Sequence, residues 1–286
     1  MTKVAVLGPG AIGGLLAVRF GQAGHDVTLI GRHPADVTVA GLTLTAPDGP
    51  AVTTWPASQS YLTHPVEVLI VAVKATQLID ATPRVPAAFT AGGIVVPFLN
   101  GVDHLPYLRA VYPAGTVAAT IVVEATKLDD GTIEQAIPSA VITLAAGSGT
   151  AAAAALLEVP GLEVTVQPGE AQVMWQKLCF LATYALLTTA AGQAIGPARE
   201  QFASWVGPLV GEACAAAAMH DAKIDPAAVE AAIRGLPAQA RSSMLKDRLA
   251  GREPELDAIA GPILRTLGPA GAPVTLRAVQ AIQAAR

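Results

Sequence analysis

The sequence is poor in charge. Asp, Glu, Lys and Arg make up 14% of its 286 residues, against roughly a quarter in an average soluble domain. With a net charge of −4 and no block of like charges, it offers no basic face for nucleic acid. Cysteine is scarcer still. Cys179 and Cys214 both fall in alanine-rich apolar patterns and read as buried free thiols in a reducing cytoplasm. The five histidines show no HxH or HExxH spacing, so no metal site is expected. No apolar run reaches the roughly 18 residues of a membrane span; the stretch around Ala213 to Met219 falls far short. Hydrophobic residues nevertheless make up 52%. Much of that is alanine, which suits closely packed helices, and the length suits two domains.

What is present begins at Val4. Four apolar residues run into Gly8-Pro9-Gly10-Ala11-Ile12-Gly13, and Leu15, Leu16, Val18 and Phe20 follow at helical spacing. Strand, tight turn and helix start in this order are the phosphate-binding corner of a dinucleotide-binding βαβ unit. Gly8 serves the sharp turn, Gly10 the close approach of backbone to a pyrophosphate, and Gly13 the seating of helix on strand. Free N–H groups at the helix start face the phosphates. Six Gly or Pro positions within Gly8 to Gly21, together with Arg19, argue against a secretory leader. A second strand is expected at Asp26 to Ile30. An NAD site usually ends that strand with a carboxylate, where this chain has Gly31-Arg32-His33. A guanidinium there receives a 2′-phosphate, so NADP(H) is the expected cofactor and Arg32 its reader.

Further strands are expected at Gly41 to Leu44 and Val52 to Trp55, around an Asp48-Gly49 turn. Val66 to Val73 is a near-continuous apolar run, as in a strand buried on both faces. It leads to Lys74, and Gly93 to Leu99 leads in the same way to Asn100-Gly101. Ligands in such sheets bind beyond the carboxyl ends of strands, which makes Lys74 and Asn100 candidate ligand contacts. Strands are also expected at Val117 to Val123, Thr132 to Ile137, Val141 to Ala145 and Leu162 to Val166, with an Asp129-Asp130-Gly131 turn and a short helix over Ala151 to Leu157. From Pro168-Gly169 onward only helices are expected: Glu170 to Ala190, Pro197 to Ala222, Pro226 to Arg234, and shorter ones from Ser242, Glu255 and Val274. The reading is α/β followed by all-α, with a Rossmann dinucleotide-binding domain over 1–167 and a helical substrate domain over 168–286.

Taken together, GPGAIG at Gly8 to Gly13, Val73-Lys74-Ala75, Asn100-Gly101, Trp175-Gln176-Lys177-Leu178, Ser242-Ser243-Met244 with Asp247, and Glu255-Leu256-Asp257 resemble the ketopantoate reductases over the whole chain. The resemblance implies NADPH-dependent reduction of a 2-oxo acid, and a homodimer. It makes Lys177 the general acid. Glu255 touches the cofactor and the lysine's surroundings, Lys74 and Asn100 line the cofactor–substrate contact, and Ser243 binds the substrate carboxylate.

The chain departs from that family's pattern beside the acid. Leu181 and Ala185 stand four and eight residues after Lys177, where the family carries asparagines; Ile195 falls near a third, and Ala240 precedes Arg241 where another is expected. Read at helical spacing, Leu181 and Ala185 make an apolar wall beside Lys177. That wall leaves open a bulkier, apolar 2-oxo acid or another carbonyl as substrate, and a catalytically silent NADP(H)-binding redox sensor as a rival role.

Overall fold

Side chains on a strand point alternately to its two faces, and the first sheet is built on that alternation. The computed structural model describes residues 1–34, 41–47, 49–113 and 115–285. In chain order its first elements are β1 (Lys3–Leu7), α1 (Ala11–Gln22), β2 (Asp26–Ile30), β3 (Leu42–Ala46), β4 (Gly49–Thr54), β5 (Ala57–Gln59) and β6 (Val68–Val71). After the short helix α2 (Leu78–Ala81) come β7 (Ile94–Pro97) and α3 (His104–Val111). Five strands form one sheet in the order β5-β2-β1-β6-β7, and every pair in it is parallel. Val4, Val6, Val68 and Ile70 enter one apolar cluster, while Ala5, Leu7, Leu69 and Val71 enter another. Both faces of the sheet are therefore covered, as continuous apolar strands require.

The remaining strands are β8 (Ala119–Val122), β9 (Ala125–Lys127), β10 (Ile133–Gln135), β11 (Ala140–Ala145) and β12 (Leu162–Gln167), with α4 (Thr150–Leu157) before the last. They complete a four-stranded sheet, β4-β3-β10-β9, and a three-stranded one, β12-β11-β8. The strand expected over Val117 to Val123 is shorter, and the chain changes sheets after it. β8 pairs with β11, whereas β9, not foreseen, pairs with β10 across the Gly131 turn. The apolar run Val66 to Val73 contributes only its central four residues to the ladder. Glu67 and Ala72 beside them still donate to the Lys3 and Leu7 carbonyls of β1, whereas Val66 N–H donates to the Phe89 carbonyl at 2.9 Å. The expected Asp48-Gly49 turn includes Asp48, which lies outside the described residues; Gly49 opens β4.

The second unit is helical: α5 (Glu170–Ala191), α6 (Ile195–Gln201), α7 (Ala203–Ala218), α8 (Pro226–Gly235), α9 (Ser243–Leu249), α10 (Leu256–Gly271) and α11 (Pro273–Ala284). Its core gathers on α5, with Trp175, Leu178, Cys179, Ala182, Leu186 and Leu187 packed against Val206, Leu209, Ala213 and Ala216 of α7. Small alanine side chains let helix axes approach closely. The two cysteines are free thiols buried in this core. One helix was expected over Pro197 to Ala222, but the chain breaks at Phe202 (φ −116°, ψ 39°), whose ring stacks on Trp205 at 4.2 Å. Among the described residues no single helix is long and apolar enough to cross a membrane.

The two compact units are Met1–Leu99 with His104–Pro168, and Asn100–Asp103 with Gly169–Arg286. The four-residue excursion at Asn100 was not foreseen. It follows from packing: Val102 joins the helical core, and Gly101, at φ +82°, lies so close to α10 that a Cβ would come within 2.4 Å of the Ala258 carbonyl oxygen. Only glycine accepts both that backbone and that proximity.

Candidate active site

In the first unit the glycines behave as their spacing requires. Gly8 has φ +101°, and a Cβ there would press on Val73 and on the Ala72 backbone at 2.7–2.9 Å. Its N–H donates to the Ile30 carbonyl at 3.0 Å, which fastens the turn to β2. A Cβ on Gly13 would lie 2.0 Å from the Gly8 carbonyl oxygen, so helix and loop touch at that point. Gly10 differs from both: a Cβ there would meet nothing within 4 Å. It caps α1 without a side-chain hydrogen bond, and the first turn carries no acidic residue. Pro9, Gly10, Ala11 and Ile12 thus form a neutral, partly open rim at the positive end of a twelve-residue helix, the shape and polarity that receive a dinucleotide's pyrophosphate.

Arg32 is exposed just past β2, and the Pro9 ring lies against Gly31 beside it, 2.8 Å from where a Cβ would stand. Lys74 is half-buried beyond β6, where its carbonyl accepts from Gln77 N–H at 2.9 Å and starts a tight turn.

The helical unit brings together three of the expected residues. Lys177 is half-buried on α5, between core residues Trp175 and Leu178. Desolvation lowers its pKa from the ordinary 10.5 to about 8, against the opposing pull of the Glu255 carboxylate. Glu255 is only 7% exposed, at the residue preceding α10. Its Oε2 accepts from Asn100 Nδ2 at 3.1 Å. An amide, a carboxylate and a lysine amine of lowered pKa therefore share one cluster, with the amide delivered by the Asn100–Asp103 excursion.

Behind the cluster stands an ion-paired clamp. Arg265 of α10 donates to Asp257 Oδ1 at 2.8 Å and to Asp103 of the excursion. The guanidinium and Asp257 lie over Gly261, where a Cβ would meet them at 2.5–2.6 Å. A mid-helix glycine costs roughly 0.5–1 kcal/mol relative to alanine, and here it makes room for the clamp. Asp257 belonged to a quoted motif. Arg265 and Asp103 were missed, because nothing in their spacing announces a partner more than 150 residues away.

Two expected neighbours of the acid are placed differently from one another. Leu181 is half-buried, but Ala185 is 0% exposed inside the helical core and presents no surface to a ligand. Each step of four residues turns a helix about 40° past a full circle, so eight residues carry Ala185 about 80° away from Lys177. Ile195 is buried as well. Of the two serines, Ser242 is buried, accepting from Leu245 N–H at 3.1 Å and sharing a 2.7 Å hydrogen bond with Thr188; Ser243 is exposed. Asp247 pairs with Arg252 at 2.9 Å.

A glycine-rich turn at a helix N-terminus, and a lysine of lowered pKa facing a buried carboxylate, suit a nicotinamide-dependent oxidoreductase acting on a carbonyl or hydroxyl group. The chain belongs to the ketopantoate reductase PanE/ApbA family, whose N-terminal and C-terminal domains match residues 4–149 and 171–282. A 2-dehydropantoate 2-reductase of Caulobacter vibrioides is 32% identical over 279 residues, covering 93% of this chain and 92% of that one. Among solved structures, D-mandelate dehydrogenase with NADH and anilino(oxo)acetate superposes with a TM-score of 0.86 at 22% identity, covering 99% of this chain and 97% of the other. A dimeric ketopantoate reductase from Staphylococcus aureus gives 0.83 at 21% identity, covering 99% and 98%.

Proposed function

We propose that this protein reduces a 2-oxo acid to the 2-hydroxy acid with NADPH, as in the conversion of ketopantoate to pantoate. The observation that carries the reading is Lys177, an ammonium brought to about pKa 8 by burial and faced by the Glu255 carboxylate. Bound NADPH supplies the hydride that adds to the carbon of the oxo group. Lys177 Nζ then meets the negative charge that gathers on the oxo oxygen and donates the proton that makes the hydroxyl. A pKa near the working pH keeps a usable fraction protonated while making the proton easy to give. Glu255 holds the ammonium charged and oriented, and Asn100 Nδ2 fixes the Glu255 oxygen that accepts from it. The exposed Ser243 hydroxyl receives the substrate carboxylate.

On the cofactor side, Gly8, Pro9, Gly10, Ala11, Ile12 and Gly13 hold the pyrophosphate and Arg32 reads the 2′-phosphate. Lys74, Asn100 and Glu255 line the nicotinamide end. The 1–167 and 168–286 division of labour, cofactor first and substrate second, is part of the same reading. So are a homodimer, supported by the dimeric relative, and a cytoplasmic setting, which suits two free thiols.

The test is NADPH consumption by the purified protein across a panel of 2-oxo acids. Turnover on ketopantoate or a close analogue supports the reading. NADPH binding without turnover on any member replaces the enzyme with an NADP(H)-binding sensor. Leu181, half-buried one turn along from Lys177, favours a second reading in which an unhydroxylated branched or aromatic 2-oxo acid outperforms ketopantoate in kcat/KM. An apolar group gains roughly 0.8 kcal/mol per buried CH₂, whereas a substrate hydroxyl buried there without a partner loses roughly 1–3 kcal/mol.

A further inference from the structure

A cationic residue hydrogen-bonded to the glycine turn is one that no motif contains. β9 and β10 pair antiparallel, with Lys127 opposite Ile133 and Ala125 opposite Gln135. Directly opposed residues in an antiparallel pair lie on the same face. Ile133 and Gln135 both reach α1 on that face. Ile133 Cδ1 packs so closely on Gly14 that a Cβ there would stand 2.1 Å away, and Gln135 Oε1 accepts from Arg19 Nη2 at 3.3 Å. Lys127 therefore faces α1 too, at its N-terminal end, and its Nζ donates to the Pro9 carbonyl at 2.9 Å.

Pro9 lies between the two glycines of the turn. An ammonium beside a helix N-terminus meets a like-signed partial charge. The first turn of α1 offers no acidic residue to offset it. One of the three ammonium donors goes to Pro9, leaving two. Lys127 is exposed, so those two donors face solvent at the positive end of the helix, where an anion brought to the turn would pair with them.

Building on the NADPH reading above, we propose that Lys127 is a further cofactor-binding residue, its ammonium pairing with the pyrophosphate of the dinucleotide. Because the Pro9 ring also touches Gly31 next to Arg32, the rival position for the same phosphate chemistry is the 2′-phosphate. NADH, which lacks that group, separates the two.

Titration calorimetry of the purified protein with NADPH and with NADH gives the test. Lys127→Met is expected to weaken both by about tenfold, equivalent to about 1.4 kcal/mol. Lys127→Arg should keep most of the affinity. The slope of log Kd against log salt should be shallower for the Met variant than for the wild type, because one screened charge contact is gone. A loss confined to NADPH overturns the pyrophosphate assignment. Unchanged affinity in Lys127→Met also overturns it, leaving Lys127 a clip on the loop. Should the Met variant melt early, the Arg variant and the wild-type salt slope still decide, and loss of NADPH affinity in Lys127→Arg with a flat wild-type slope counts against the proposal. A wild type that binds neither cofactor overturns the NADPH reading itself, a result distinct from wild-type binding that survives in Lys127→Met.

Discussion

Replacing Glu255 with Gln removes a charge while keeping an oxygen for Asn100 Nδ2 to donate to. The consequence is worked from Lys177. Desolvation lowers its pKa to about 8, partly offset by the Glu255 charge. Lys177 must be protonated to donate, so the rate of reduction falls as pH rises through about 8 and drops about tenfold for each further unit. Without the Glu255 charge, desolvation acts unopposed and that alkaline limb moves to lower pH. Lys177→Ala removes the limb altogether and lowers kcat at least about 100-fold. The assay is kcat against pH for saturated enzyme, with NADPH affinity measured alongside. A limb that stays near the ordinary lysine value in the wild type, or that does not move in Glu255→Gln, refutes the reasoning.

Stability carries the opposite sign. The folded pKa lies below 10.5, so between about 8 and about 10.5 the unfolded chain binds more protons than the folded one, and stability rises with pH across that window. Lys177→Met abolishes that slope, because no group with a lowered folded pKa is left at this position. Urea melts at several pH values read this directly.

Arg32→Asp should weaken NADPH by roughly 1.5–3 kcal/mol more than NADH, since it removes a charge-assisted phosphate contact; equal losses in fluorescence titrations would show that Arg32 does not read the phosphate. Leu181→Asn should shift kcat/KM toward hydroxylated 2-oxo acids, whereas Ala185→Asn, at a fully buried site, should cost about 1–3 kcal/mol by overpacking; kinetics and melting of the two single variants separate these effects. Arg265→Gln breaks exposed ion pairs worth at most about 1 kcal/mol yet frees the excursion that carries Asn100, so kcat should fall about tenfold with little change in melting temperature, and Arg265→Lys should restore part of it.

The parts legible in the sequence are those whose physics is local. β1, the turn and α1 follow from a glycine spacing and one apolar period, and Asn100 was singled out by its place at a strand's carboxyl end, whereas Lys177 and Glu255 came only with the resemblance to the family. The parts that were not legible depend on partners distant along the chain. α7 starts at a break that alanine-rich sequence does not mark, since alanine favours helix on either side of it. Ala185 was placed beside the acid by an i, i+4 count that neglects the drift of the helix over two turns. Lys127 became interpretable only when the register of β9 against β10 showed which face it shares with Ile133. The clamp on Arg265 likewise required α10 and the excursion to be folded first.

The Asn100–Asp103 excursion has a consequence for how such a chain can be cut and inherited. Because the polypeptide changes unit at 99–100, 103–104 and 168–169, the helical unit is not encoded by one continuous stretch. A fragment beginning at Gly169 lacks the amide that orients Glu255, the apolar plug at Val102 and one carboxylate of the clamp, though it keeps every helix. A crossover with a homologous gene near codon 168 would join an excursion from one parent to a helical unit from the other. Four codons embedded in the first half are thus tied to the second, and a working hybrid has to carry them along with the helices they serve.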